Sequence, residues 1–432
     1  MRTPSSYLAI VLFSFLPLTG CGLLAGSSPP GDNSPGDSED RHPDRRRSDA
    51  GAESDSDATA RARSGLPELR PGRAPVGSLD WRLRWRLKLR DVSLPEEPGP
   101  FDPERVELGR NLFFDKALSG NEDVACSTCH HPRAVTGDGL ALAVGVDGHG
   151  EIPNRRRTQN RPFVPRNSPE LFVRGPGSWE TMFWDARVEE KPNGELSTPA
   201  GDKLQSGLTG VVAAQAMFPV TSRVEMRGFE SDDNPISSIP DGALTEMWSK
   251  LMDRLLGFDG YREMFRDAYP QKSLDELKFR DAANAIAAFE KSAFHYLDSP
   301  FDRYLRGDDD ALTPRQKRGA ILFYGKAGCA SCHSGNLMTD QEFHNIGAPQ
   351  IGPGKGEHEP LDPGRFLVDP KRKNKYAFRT PPLRNVAVTG PYLHSGAYES
   401  LRAVAAHHPR PKETLRNSSG ESLRPAVRPD LH

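Results

Sequence analysis

The sequence predicts a mainly α chain of two helical modules with long loops, set behind a disordered tether. Apolar residues fall at helical spacing in several separate stretches. Two of those stretches lead, after similar intervals, into a close pair of cysteines. From Gly22 to about Gly77 the chain is Ser, Pro, Asp, Arg and Gly with almost no apolar residues, too polar to bury a core.

At the N-terminus, Arg2 precedes the apolar run Tyr7 to Leu18, which is too short to span a bilayer. The following Leu18-Thr19-Gly20-Cys21 resembles the bacterial lipoprotein cleavage box. The expectation is a signal peptide over 1–20 and lipidation at Cys21, against an ordinary signal peptide with an incidental cysteine. Several acyl chains would hold the protein at a membrane surface, where one gives only marginal binding. Gly22 after the lipidated position, where an Asp is absent, points to the periplasmic side of the outer membrane. Residues 21–78 then read as a flexible linker.

Next, Leu79, Trp81, Leu83, Trp85, Leu87 and Leu89 alternate with Asp80, Arg82, Arg84, Arg86, Lys88 and Arg90. Period-two alternation predicts an extended strand laying one face on the body; a basic surface for an acidic partner is the weaker alternative. Beyond it, helices are expected over Pro103–Phe114, within Leu274–Tyr296 around an Ala-rich run, over Thr313–Tyr324 with Thr313 as cap and Pro314 at the first position, and over Leu401–His407. The first and third of these helices each enter a cysteine pair, as two copies of one small module would.

The hydrophobic fraction is 36%, with 39 prolines and 40 glycines, and the mean hydropathy is -0.63. The folded part therefore needs more than aliphatic side chains at its centre. A net charge of -2 suggests no nucleic-acid partner. With Cys21 set aside, Cys126, Cys129, Cys329 and Cys332 form two close pairs and leave none for long-range disulfides. Cys126-Ser-Thr-Cys129-His130 and Cys329-Ala-Ser-Cys332-His333 both match the c-type haem attachment motif. Two thiols three positions apart can reach the two vinyl groups of one porphyrin, which places the next histidine under the iron. A zinc half-site would need further ligands of matching type, and a redox disulfide belongs in a strand–helix context that is absent. Two copies in one exported chain favour haem.

The chain resembles the bacterial di-haem cytochrome c peroxidases and their MauG-type relatives, from about Leu108 to His408. The resemblance rests on Leu108–Asp115, Arg166-Asn-Ser-Pro169, Phe183-Trp-Asp-Ala-Arg187, Gln215-Ala-Met-Phe-Pro219, Val224-Glu-Met226, Arg379–Asn385 and Pro391–Gly396. It implies two cytochrome c-like domains whose haems face a shared interface, here 79–300 for an N-terminal peroxidatic domain and 301–432 for a C-terminal electron-transfer domain. It implies hydrogen peroxide as substrate and a small cytochrome c or cupredoxin as donor, or, in the MauG-type alternative, a partner protein whose Trp or Tyr is modified. A homodimer is compatible with either.

Carried onto this chain, the resemblance makes Glu225 the general acid/base above the His130 haem, with Gln215 orienting peroxide and Pro219 between them. Trp184 would lie between the haems, and the link from Arg187 to Gln215 is longer than usual, so a loop is inserted there. His149 resembles a removable distal ligand of the His130 haem, against a plain loop histidine. The sixth ligand of the His333 haem is expected fourteen positions after His394, where relatives carry Met or Tyr; here that position is His408, with His407 one step out of register. His394 would sit near a haem propionate. Asn167, Thr389 and Pro391 match the positions that hold one calcium between the domains. His131, His295, His344 and His358 read as ordinary polar or core histidines.

Overall fold

The computed structural model describes residues 74–175 and 179–417. The expected signal peptide, Cys21 and the tether as far as residue 73 lie outside the described residues. What is described is mainly helical, in the order α1 (Leu79–Leu89), α2 (Pro103–Phe114), a single turn α3 (Cys126–Cys129), α4 (Val211–Ala216), α5 (Leu244–Leu256), α6 (Asp259–Ala268), α7 (Phe279–Ala293), α8 (Pro300–Leu305), α9 (Pro314–Phe323), α10 (Leu401–His407) and α11 (Pro411–Asn417). Two small antiparallel sheets interrupt the helices. One is a meander of β1 (Thr181–Met182), β2 (Val188–Glu190) and β3 (Leu196–Ser197); the other pairs β4 (Phe343–His344) with β5 (Phe378–Arg379).

Local chemistry sets the helix starts. Asp102 accepts from the Arg105 amide at the start of α2, with Pro103 at the first position, where a missing N–H costs nothing. Thr313 and Gln316 form a reciprocal capping box around Pro314 at the start of α9. The alanines of α7 are buried from Ala282 to Ala288, and α2 packs on them. The crossing is so close that a Cβ on Gly109 would sit 1.9 Å from the Ala285 carbonyl oxygen. Around this crossing lies the larger apolar core, with Leu108, Leu112, Phe113, Trp248, Phe265 and Phe279 all sealed from solvent.

A second core joins α1, α8 and α9 through Leu83, Leu87, Tyr304, Leu305, Ile321 and Tyr324. Here the structure corrects the reading of 79–90 as a strand. The segment is a helix, capped by Ser78, with Asp80 in its first turn and Arg86 and Lys88 in its last. An alternation of period two also contains an i, i+4 repeat. Leu79, Leu83 and Leu87 share one face, while Trp81 and Trp85 stack 6.2 Å apart on another. Leu, Arg and Lys favour helix, and no β-branched residue resists it. The helix does lay one face on the body, through a 2.6 Å Lys317–Asp80 pair and an Arg84–Asp309 pair. That face meets the second core, so a domain boundary that places residue 79 with the first haem module does not follow the packing.

Candidate functional site

One cavity gathers the first attachment motif and the four residues expected to act on substrate. Its walls include Cys126, Cys129, His130, Asn167, Trp184, Gln215, Pro219 and Glu225, and they enclose ≈ 1340 Å³ free of protein atoms, part of it open to solvent. Leu118, Val124, Val164, Leu171, Val212 and Ile286 give it an apolar lining. Such a cleft with a few convergent polar groups is the usual form of a cofactor site.

His130 lies at the end of α3. Its Nδ1–H donates to the Thr136 carbonyl at 3.2 Å, and the Ser168 hydroxyl, which donates to the Cys129 carbonyl, lies 3.3 Å away. That bond fixes the tautomer and leaves Nε2 as the ligating atom. Burial pushes the imidazole down to about 4, so it is neutral, the form that binds a metal. Burial also pushes the Cys126 thiol up to about 12.

Gln215 and Glu225 reach the cavity from consecutive elements. Gln215 is on α4, whose first turn is capped when the Val211 amide donates to Glu190 on β2 at 3.1 Å. The chain then passes through a 3-10 turn at Pro219–Thr221 into a π-helical turn, Arg223–Arg227, that carries Glu225. Single π turns are concentrated at functional sites. Behind this turn a Cβ on Gly145 would lie 2.0 Å from the Val224 carbonyl oxygen and 2.6 Å from that of Glu225. Arg155 holds the Gly145 loop by donating to the Val144 and Gly145 carbonyls, each at 2.9 Å. Among the described residues neither the Gln215 amide nor the Glu225 carboxylate has a hydrogen-bond partner. Burial raises the Glu225 carboxyl above its ordinary range, and Arg187, Lys355 and Arg166 only partly offset this.

Trp184 is displayed by the tight connection between β1 and β2, where Phe183 and Ala186 both take positive φ, 68° and 48°. Its indole N–H donates to the Asn167 carbonyl at 3.0 Å. The residues between Arg187 and Gln215, expected as an inserted loop, form the β2–β3 hairpin and a 3-10 turn before α4. Next to Trp184, Asp185 pairs with Arg166 at 2.6 Å and Arg187 at 3.1 Å, and Arg166 also grips Asp362 through two bonds of 2.6 and 2.9 Å.

The second cysteine pair repeats the local design. His333 Nδ1–H donates to the Met338 carbonyl at 3.1 Å, five residues downstream, as His130 does six residues downstream. His408 is near enough for its charge to act on His333, and its Nδ1–H donates to the Val404 carbonyl at 2.8 Å. His407 is fully buried with both ring nitrogens engaged, one by the Tyr398 hydroxyl and one by the Ile346 carbonyl, each at 3.0 Å.

Residues 103–310 match the family described as di-haem cytochrome c peroxidase. MauG of Methylorubrum extorquens is 32% identical over 321 residues, covering 74% of this chain and 72% of the relative. The cytochrome c551 peroxidase of Pseudomonas aeruginosa is 31% identical over 308 residues, covering 71% and 72%. A crystal structure of a MauG-like protein associated with microbial copper homeostasis superposes with a TM-score of 0.51 at 28% identity, covering 73% of this chain and 80% of its own. The chain belongs to the di-haem cytochrome c peroxidase family.

As a family member it is an oxidoreductase of the di-haem peroxidase/oxidase type, with two haem c groups. The residues present fit the cofactor: an apolar cleft, two thiols outside any disulfide, and a neutral imidazole held by its far nitrogen. Cys332, Asp340 and His344 lie close enough together to hold an ion, and Cys332 is also part of the second attachment motif.

The remaining sites fall as follows. His149 is exposed, its backbone bridged to Arg156, and it is not among the residues lining the cavity. His394 is buried and stacked on Phe378 at 3.6 Å, and burial holds its ring down at about 3. Asn167, Thr389 and Pro391 meet at a separate, smaller cavity of ≈ 220 Å³ free of protein atoms that Asp138 and Glu170 also line. The Asn167 amide nitrogen is committed to the Leu140 and Ala141 carbonyls, so its Oδ1 is the atom left to ligate. His131, His295, His344 and His358 lie outside the main cavity. Sequence reasoning missed Lys355 and Glu290, and gave no role to Arg379 of the quoted Arg379–Asn385 motif; all three line that cavity from distant parts of the chain. For Glu290 a signal was available, since it closes the Ala-rich run of α7 on its buried face.

Proposed function

We propose that the protein reduces hydrogen peroxide to water with electrons from a small periplasmic cytochrome c or cupredoxin. The observation that carries this reading is that the unpartnered Gln215 and Glu225 side chains share one cavity with Cys126, Cys129 and His130. An electron carrier has no use for a buried acid of raised proton affinity. The bound haems supply redox-active iron, one open to the oxidant and one passing electrons to it. Glu225, as carboxylate, takes a proton from bound peroxide and, once protonated, returns it to the departing oxygen. Gln215 orients the substrate by hydrogen bonds, Pro219 shapes the turn between them, and the apolar walls exclude bulk water. Trp184, held by Asn167, would relay electrons arriving from the second haem. His408, whose Nδ1–H is spent on the Val404 carbonyl, would hold that haem through Nε2, whereas His407, with both nitrogens engaged, would not. Histidine stabilises the ferric state more than Met does, which lowers that haem's potential.

One calcium belongs at the cavity of Asn167, Thr389 and Pro391, whose oxygen-only donors suit a hard cation. Lipidation at Cys21 and tethering to the periplasmic side of a bacterial outer membrane complete the proposal.

Two observations favour a second reading, a MauG-type oxidase acting on a partner's Trp or Tyr. His149 stands outside the cavity, and His408 occupies the ligand position where peroxidases carry Met. The deciding experiment supplies peroxide to the di-haem protein with reduced cytochrome c or cupredoxin, or with candidate partner proteins. Donor oxidation in step with peroxide loss supports the peroxidase. Peroxide-dependent mass gain on a partner's Trp or Tyr, with no donor turnover, overturns it in favour of the oxidase.

A further inference from the structure

We propose that Lys355 is the counter-charge for a propionate of the N-terminal haem, an assignment that rests on the haem site described above. Five cationic side chains line the cavity: Arg166, Arg174, Arg187, Lys355 and Arg379. Arg166 is paired with Asp185 and Asp362, Arg187 with Asp185, and Arg174 with Glu170. Arg379 donates to the Phe183 carbonyl at 3.1 Å and leaves one buried nitrogen without a partner. Lys355 alone among the five has neither an ion pair nor a hydrogen bond from its side chain to the described residues. Lys355 is part-buried and lines the cavity, so a group filling that space would take its ammonium out of water, which is costly without an anion.

The position of the cysteines says which part of the porphyrin comes near. Thioether bonds fix the vinyl edge at Cys126 and Cys129, and the propionates leave from the other side of the macrocycle. Lys355 belongs to the loop that closes on Leu361, next to Asp362, which grips Arg166 and through it Asp185 beside Trp184. It therefore enters the cavity beside these ion pairs, on a different element from the cysteine turn.

The loop that presents Lys355 is built to hold it. Gly354 has φ +77°, and a Cβ there would lie 2.3 Å from the Pro360 carbonyl carbon. The Lys355 amide donates to the Leu361 carbonyl at 3.1 Å, and the Leu361 amide to that of His358 at 2.8 Å, so the loop closes on itself. Burial, with Arg187 and Arg166 adding to it, depresses the ammonium to about 7, as expected of a cation lacking its anion.

The test is a spectroelectrochemical titration of both haems in the holoprotein, for wild type, Lys355→Gln and Lys355→Arg, without peroxide. Removing a positive charge beside the porphyrin favours the ferric state. The potential of the His130 haem is therefore expected to shift down in the Gln variant, to recover in the Arg variant, and to leave the His333 haem unmoved. An unchanged His130 potential in Lys355→Gln overturns the proposal, as does an equal shift of both haems, which would report a general disturbance. Because no oxidant is present, the titration reads the same whether or not the protein proves to be a peroxidase.

Discussion

Glu225 is the residue on which the chemistry turns, and its setting predicts both a size and a pH dependence. Glu225→Gln keeps the shape and removes the proton acceptor, so turnover should fall by about 10²- to 10⁴-fold with both haems attached. Wild-type rates would exclude the residue. As the base must be ionised, activity falls as pH drops through its pKa, and burial puts that acid limb above the ordinary carboxylate range; the pH–rate profile shows it directly. Gly145→Ala tests the support behind it. Its methyl would collide with the Val224 and Glu225 carbonyls, and a displacement of about 1 Å is worth up to 10²-fold in rate. An unaffected rate would mean that the loop yields and the turn does not. At the other haem, His408→Ala should turn a low-spin optical and EPR signature into a high-spin or solvent-ligated one. Retention of the low-spin spectrum would refute His408. At this scale the attachment cysteines and histidines were legible because the motif is local and its spacing is dictated by the porphyrin. Lys355 was not, because a lone lysine among Gly, Pro and Glu reads as a surface charge until the fold carries it to the cavity.

Among elements, legibility followed how local the determining signal was. The starts of α2 and α9 were readable from Asp102-Pro103 and Thr313-Pro314, because a cap is a contact within one turn. The second core shows the opposite case. The alternation in α1 fits strand and helix alike, and packing against α9 decided between them. Met247, Trp248, Leu251, Met252 and Leu255 of α5 also carry a helical repeat, which the motif-rich segments around them overshadowed. The two readings of 79–90 make different predictions. On a strand, Leu83 and Trp85 share a face and truncating either has similar consequences. On the helix Leu83 is sealed and Trp85 is 47% exposed. Leu83→Ala should therefore cost about 2–5 kcal/mol, against under about 1 kcal/mol for Trp85→Ala. Thermal unfolding of the two variants, followed away from the haem bands, separates the cases, and equal losses would favour the extended form.

Across the whole molecule, the two haem-binding stretches are joined by a buried ionic knot that no local pattern announces. Arg166 and Asp185 flank Trp184 in the first stretch, and Asp362 comes from the second, 196 positions beyond Arg166. Burial alone would raise both carboxyls, but Arg166 outweighs it at each, with Arg187 adding at Asp185, and holds them below the ordinary range. Carboxyls depressed by folding contribute stability that is complete above their unfolded pKa and is lost as pH falls through the folded value. The contribution should therefore persist from neutral pH down to about 4 and decline only below it. Asp362→Asn leaves Arg166 half-paired in a dry setting, where removing one partner of a buried pair costs about 3–5 kcal/mol. The variant should unfold at a lower temperature at neutral pH and close part of that gap in acid, where wild type loses the same interaction. A gap that stayed constant from neutral to strongly acidic pH would show that the knot holds its shape by packing and that its charges add nothing.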